Sequence, residues 1–364
     1  VTSKLEQRFG FMSHEIKIAG RAIGPGHPPY IICELSANHN GRLERAFELI
    51  EAAVATGADA IKIQTYTPDT LTIAHDSPEF RIRGGLWDGY TLYDLYREAY
   101  TPYEWHPALV RRAKDLGITL FSTPFDESAV QLLSGLDVPA YKIASFEAVD
   151  FALIESVARQ KKPMIISTGM ASKMEIFEAV ETARRNGAEE LVLLHCVSSY
   201  PARFEQANLR TIPEMADDFG VVVGLSDHTP GTACAVAAVA VGASVIEKHF
   251  TLRRADGGPD AAFSLEPDEF KRLVEDCRSA WLSLGHAGYE RSAAERENLM
   301  FRRSLYVVED VAAGEELTSR NIRSIRPGFG LAPKYLSEIL GRRAAHPLKR
   351  GDPLRWEDIS GVTE

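Results

Sequence analysis

Eight short β-branched runs recur along the chain, and longer stretches of helical periodicity lie between them. The runs are Tyr30–Ala37, Ala60–Tyr66, Thr119–Phe125, Ala140–Phe146, Pro163–Gly169, Leu191–Ser198, Val221–His228 and Ser244–Thr251. Helical segments include Leu43–Thr56, Tyr103–Leu116, Lys173–Asn186 and Thr232–Val241, and Pro267–Leu284 closes the eighth unit. Several helices end in Gly57, Gly117, Gly187 or Gly242. A glycine there stops a helix in the left-handed conformation and turns the chain into the next strand. Eight βα units with no antiparallel hairpin signal predict an α/β fold, a (β/α)8 TIM barrel. An open doubly wound sheet usually has fewer strands and a Gly-rich first turn. Neither GxGxxG nor GxxxxGK[ST] occurs, so Rossmann and P-loop readings lose their main support.

The 364 residues suit one large domain plus a small one, and a composition 45% hydrophobic and 25% charged can bury a sizeable core. The spacing predicts a barrel over 1–285, a polar linker over 286–299 and a compact β-rich module over 300–364. The opening VTSKLEQRFGFMSHEIK is read as a lead-in without a function and without signal-peptide character. No apolar run approaches the roughly 20 residues of a membrane span. The four cysteines form no CxxC pair, which predicts buried free thiols in a cytoplasmic protein. The net charge of −10 argues against a nucleic-acid partner. From Phe301 onward 11 basic residues face 9 acidic ones, a local net of +2, so the tail is mildly basic. Between the second and third runs lies an aromatic-rich insertion, Thr67–Thr101. Following strand two, it belongs over the C-terminal end of the barrel, where active sites form. A short amphipathic helix packing Tyr93, Leu95 and Tyr96 on the rim is expected within it.

Polar residues recur toward the C-terminal end of nearly every strand run. They are Glu34, Lys62 with Gln64, Ser122 and Thr123, Lys142 with Ser145 and Glu147, Ser167 and Thr168, Ser198, Ser226 to His228, and Glu247 to His249. Buried charge is costly unless paired or liganded, and eight strands converging on one face predict an active site there. His228 and His249 end neighbouring strands, which lie ~4.8 Å apart, so their imidazoles can share one divalent ion near Glu247 and Asp227. Lys62 and Lys142, with the hydroxyls of Thr123, Ser145, Ser167, Ser198 and Ser226, suit a phosphate and a carboxylate. A Schiff-base lysine is the competing reading.

The motifs CELSANHNG (33–41), IKIQTY (61–66), STPF (122–125), YKIASFE (141–147), STG (167–169), GLSDH (224–228) and EKHFT (247–251) resemble the sialic acid synthase family. GGPDAAFSLEP (257–267) and NIRSIRPGFG (321–330) extend the likeness into the tail. The resemblance implies a barrel fused to an antifreeze-like (SAF) domain in a domain-swapped homodimer, and condensation of phosphoenolpyruvate with an N-acetylated amino-sugar aldehyde. It makes His228 and His249 ligands of a divalent metal (Mn2+, Mg2+ or Co2+). Lys62, Thr123, Lys142, Ser145, Ser167, Ser198 and Ser226 become the phosphoenolpyruvate cradle, and Glu34, Gln64, Glu147, Tyr200 and Asp260 face the sugar or the reacting carbons. Arg326 is implied to reach the partner subunit's site. Ser198 departs from the pattern, standing where the sialic acid branch carries asparagine.

The insertion resembles the pseudaminic acid branch, which acts on 2,4-diacetamido-2,4,6-trideoxy-altrose in a bacterial route to a surface sugar often placed on flagellin. Sialic or legionaminic acid synthesis differs only in the sugar accepted. A metal-dependent aldolase or isomerase would not use phosphoenolpyruvate, and an ice- or carbohydrate-binding role leaves the polar barrel face unexplained. Either Glu34 or Glu147 suits the activation of water.

Overall fold

A computed structural model describes residues 15–361. The chain divides at Gly285 into two compact units. The first opens with an antiparallel hairpin, β1 (Ile16–Ile18) and β2 (Arg21–Ile23). Eight parallel strands then close on themselves: β3 (Tyr30–Glu34), β4 (Ala60–Thr65), β5 (Thr119–Pro124), β6 (Tyr141–Ile143), β7 (Met164–Ser167), β8 (Leu191–Cys196), β9 (Val222–Asp227) and β10 (Val245–His249). This is the expected (β/α)8 barrel. The four helix-ending glycines take positive φ, from 73° at Gly117 to 109° at Gly242.

Strand periodicity sorts the side chains into two layers. Residues such as Ile31, Ile61, Leu193 and Ile246 point outward and pack with the helices into the larger core. Tyr30, Ile32, Phe121, Ile165, Val192 and Val245 fill the barrel interior, joined by Ile16, Ile18 and Ile23 of the hairpin in one buried cluster. That hairpin carries no sequence signal because three-residue strands are too short to show alternation. Residues 1–14 of the lead-in lie outside the described residues.

Strands end earlier than their apolar pattern suggests. The run Ala140–Phe146 is strand only over Tyr141–Ile143, and Ser145–Glu147 forms a 3-10 turn. Ser145, Glu147 and Ser198 thus sit on short connections past the strand ends, whereas Glu34, Lys62, Thr123, Lys142, Ser167, Ser226 and Glu247 lie within strands. The insertion folds as helices Pro68–Leu71 and Leu92–Ala99, joined by chain that includes a 3-10 turn at Pro78–Phe80 and an antiparallel bridge between Arg81 and Thr91. Its base is tied by a hydrogen bond between Thr65 Oγ1 and the buried His106 Nε2, 2.8 Å. Leu95 is buried and Tyr96 half-buried on the second of these helices, while the Tyr93 hydroxyl donates to Asp69 (3.2 Å).

The second unit is held by a small apolar core including Leu305, Val307, Leu317, Ile322, Leu348 and Leu354. Among the described residues its one ladder pairs β11 (Ser304–Val307) with β12 (Ile322–Ile325), and isolated bridges supply the remaining β pairing. Within residues 286–299, Ser292 caps a short helix, Ala293–Glu297, through a capping box with Glu295. All four cysteines are free and buried. Among the described residues no helix is long and apolar enough to cross a membrane.

Candidate active site

The inward layer above the apolar plug is charged. Glu34 on β3 and Lys62 on β4 are register partners, and Lys62 Nζ lies 2.8 Å from Glu34 Oε2. The same ammonium donates to Thr123 Oγ1 (3.0 Å) and stands 3.5 Å from Glu247 Oε1. Lys142 Nζ donates to Ser167 Oγ at 2.6 Å and lies 3.8 Å from Glu247 Oε2. Ser226 Oγ donates to Glu247 at 3.3 Å. Glu247 therefore stands between two buried lysines. Burial would raise its pKa, but Lys142 and Lys62 outweigh that and hold it low. Burial would depress Lys62 too, yet Glu247 and Glu34 keep it raised, whereas at Lys142 burial prevails and its pKa is lowered. Glu34 is raised, mainly by burial and partly offset by Lys62.

Ser145 Oγ accepts from the Gly169 amide (3.2 Å). A Cβ at residue 169 would come within 2.3 Å of Ser198 Oγ and 2.8 Å of Ser145 Oγ, so both hydroxyls occupy space that only glycine leaves open. Ser198 itself lines a neighbouring cavity of about 390 Å³ with Thr168, Cys196 and Met215.

A cavity of about 370 Å³ is lined on its barrel side by Gln64, Glu147, Tyr200, His249 and Asp260, and elsewhere by Tyr66, Tyr96 and apolar residues, many from the insertion. Four of the five residues expected to face the sugar thus share one space. Glu34, the fifth, reaches it through Gln64, whose amide donates to Glu34 Oε1 (2.9 Å). Burial raises Glu147 to about 7, and its Oε2 has no partner. Burial likewise raises Asp260 to about 7, where it accepts a hydrogen bond from Ser36.

The His228 and His249 rings are 5.4 Å apart, centre to centre. His228 Nδ1 donates to the Val197 carbonyl (3.1 Å), a tautomer that leaves a lone pair on Nε2. His249 Nδ1 is buried without a partner, and burial together with His228 holds its pKa far below the usual range, so the ring is neutral. Burial would lower His228 too, but Cys196 and the Val197 carbonyl outweigh it and keep its pKa raised, so an ion there competes with a proton. The orphaned nitrogen of His249 and the free Nε2 of His228 nevertheless fit a divalent ion. Among the described residues no group of three or more His, Cys, Asp or Glu is placed to hold one.

Some of the expected convergence fails. Ser122 points outward, donating to the Ile63 carbonyl and sharing a bond with Thr65 Oγ1. Asp227 also faces away from the histidine pair, accepting from Lys248 Nζ (2.6 Å) and Thr229 Oγ1 (2.7 Å). Strand alternation is the reason: His228 and Glu247 take the inner face, so their neighbours Asp227 and Lys248 take the outer one. The sequence reading missed Trp87 and Phe263, which line the cavity, and Cys196, whose Sγ is 3.7 Å from His228 Nδ1. Cys196 was detectable, being two residues before Ser198 in the run Leu191–Ser198.

The NeuB family profile matches residues 49–289 and the SAF domain profile residues 302–360. The pseudaminic acid synthase of Campylobacter jejuni is 47% identical over 330 residues, covering 91% of this chain and 96% of its own. That of Helicobacter pylori is 45% identical over 333 residues, covering 91% and 98%. The crystal structure of the N-acetylneuraminic acid synthetase of Leptospira borgpetersenii superposes with a TM-score of 0.71 at 33% identity, covering 79% of this chain and 95% of that one. With its closed barrel, its paired lysines and these matches along most of its length, the chain belongs to the NeuB family.

Proposed function

We propose that this chain is a pseudaminic acid synthase, condensing phosphoenolpyruvate with 2,4-diacetamido-2,4,6-trideoxy-β-L-altropyranose and water to give pseudaminic acid and phosphate. The observation that carries this reading is the layered site, in a chain so similar to the Campylobacter enzyme along 91% of its length. Two buried lysines and their hydroxyl partners lie deep in the barrel, and a sugar-sized cavity shares its wall with His249.

In this reading Lys62 and Lys142 bind the phosphate and carboxylate of phosphoenolpyruvate, with Thr123, Ser145, Ser167, Ser198 and Ser226 donating hydroxyl bonds. Gln64, Tyr200 and Asp260 orient the sugar. His228 and His249 would hold the divalent ion, which when bound would supply Lewis-acid polarisation of the open-chain aldehyde. Carbon three of phosphoenolpyruvate bonds to the aldehyde carbon, whose oxygen takes up a proton and becomes a hydroxyl. Water adds at carbon two, and the carbon–oxygen bond to phosphate breaks. Glu147, with its unpartnered oxygen and raised pKa, takes the proton from that water, while Glu34 is committed to Lys62 and Gln64. Turnover in water labelled with oxygen-18 tests the scheme. The label is expected in the sugar acid, and label found only in phosphate sinks carbon–oxygen cleavage.

The ion has a test that needs no turnover. His249→Ala should bind Mn2+ at least about tenfold more weakly in titration calorimetry, the loss typical when a site's coordination is disturbed. Unchanged affinity removes the two-histidine assignment.

The same reading makes the protein a cytoplasmic homodimer in which the SAF domain works in trans. Phe146, Met170 and Phe204, 59%, 64% and 52% exposed on connections after β6, β7 and β8, support a partner covering that end of the barrel. Arg326 would then hold the sugar's acyl group in the neighbouring site. Mixing Arg326→Ala subunits with Lys142→Ala subunits should restore part of the activity, and no restoration refutes a role in trans.

A further inference from the structure

The cavity's chemistry is split between its two sides. The groups able to bond a hydroxyl, Gln64, Tyr66, Glu147, Tyr200, Asp260 and the His249 ring, come from barrel strands or from the loops at their ends, and Tyr96 is the insertion's single addition to them. The insertion contributes Leu71, Ile82, Leu92, Leu95 and Ala99, which bring no polar side-chain atom, together with Trp87 and Tyr96. Trp87 is no exception to the apolar character. Its only polar atom, Nε1, is used up in donating to the Pro259 carbonyl at 2.8 Å. Its ring then stands 5.5 Å from Tyr200 and 6.5 Å from Phe263, centre to centre, and the Tyr200 ring is 4.4 Å from that of His228. The apolar wall is therefore fastened to the loop that carries Asp260 and is stacked through Tyr200 onto the histidine pair. It holds a fixed position relative to the reacting end of the site.

We propose that this insertion is the specificity element of the site: Ile82, Trp87, Leu92 and Leu95 form an apolar wall that receives the methyl-terminated end of a 6-deoxy, N-acylated sugar and excludes a hydroxymethyl end. The inference rests on the synthase reading above. A sugar aldehyde placed with its reacting carbon at His249 must direct its remote carbons away from the strand ends. Against the insertion wall a C6 methyl group meets matching surface. A C6 hydroxyl placed against Ile82, Trp87, Leu92 and Leu95 loses its water and finds no partner on those four side chains. An apolar pocket rejects an added hydroxyl by about 100-fold, which sets the size of the expected discrimination.

The experiment compares two substrates that differ only at C6: the 2,4-diacetamido-2,4,6-trideoxy sugar and its 6-hydroxy counterpart, each with saturating phosphoenolpyruvate. Phosphate release is followed to obtain kcat/KM. The native enzyme is expected to favour the 6-deoxy sugar by about 100-fold. Leu92→Gln and, separately, Ile82→Thr place a hydrogen-bonding group in the wall. At least one should cut the preference tenfold or more by lowering KM for the 6-hydroxy sugar, with KM for phosphoenolpyruvate unchanged. Native-like circular dichroism and Tm select the variants compared, and two positions guard against one failing to fold. A native preference near unity overturns the proposal while leaving the synthase reading intact. So does a preference that both folded variants retain. No phosphate release with either sugar overturns the synthase reading and this inference together.

Discussion

Glu147→Gln is expected to lower kcat by 10²–10⁴-fold, the usual contribution of a general base, and at the same time to make the protein more stable at pH 8. Both effects come from one cause. Burial raises this carboxyl to about 7 from an ordinary 4.5, so the folded protein holds the proton more tightly than the unfolded chain. Between those values the folded state binds more protons, and stability falls as pH rises through the window. At pH 8 the ionised side chain costs on the order of 3 kcal/mol, from 2.5 pH units at ~1.4 kcal/mol each. The amide carries no such cost. Urea unfolding should therefore favour the variant at pH 8 and show little difference at pH 4, where the carboxyl is protonated in both states. In the native enzyme kcat/KM should climb with pH through about 7, and the variant should lose that limb. A variant with near-native kcat and an unaltered pH profile would remove Glu147 from proton transfer and return that role to Glu34.

Lys248→Met should cost about 3–5 kcal/mol of stability, the usual penalty for stripping one partner from a buried ion pair. Both side chains of the Lys248–Asp227 pair are 1% exposed, and the ammonium also donates to the Thr229 carbonyl (2.5 Å). Removing it leaves the carboxylate with no ion-pair partner among the described residues. The double variant Lys248→Met/Asp227→Asn should recover part of the loss, since no buried charge then remains. Because Asp227 and Thr229 flank His228, the single variant should also weaken Mn2+ binding. A loss under about 1 kcal/mol in urea unfolding would mean that water or a rearranged neighbour satisfies the carboxylate.

The barrel was legible because its signal is repeated. Each strand run is weak evidence alone, but eight in sequence with glycine stops leave few other folds. The helices Leu43–Thr56 and Pro267–Leu284 have the boundaries their periodicity predicts, since Gly57 and Gly285 end them. Strand ends were less legible, because a polar residue at the end of an apolar run reads the same whether it is paired or looped. The reading of Ser122 and Asp227 as part of the convergent face shows a second limit. Residue type marks a strand end as polar, but only the register of the closed barrel says which of two adjacent residues faces the axis. Trp87 and Phe263 were hidden for a different reason. An aromatic residue in a long loop has no period to announce its direction, and these two acquire theirs from contacts between the connections after β4 and β10.

The Thr65–His106 bond has a bearing on how such a chain can diversify. It closes the second βα unit at its base, so the two ends of the insertion are held together whatever the length of chain between them. For a loop whose ends are already pinned, length is a minor thermodynamic variable: each doubling adds only about 0.6 kcal/mol of closure entropy. The segment above the clasp is therefore open to lengthening, shortening or replacement at little cost to the scaffold. Substrate range can drift there while the strand ends that carry the chemistry stay in register.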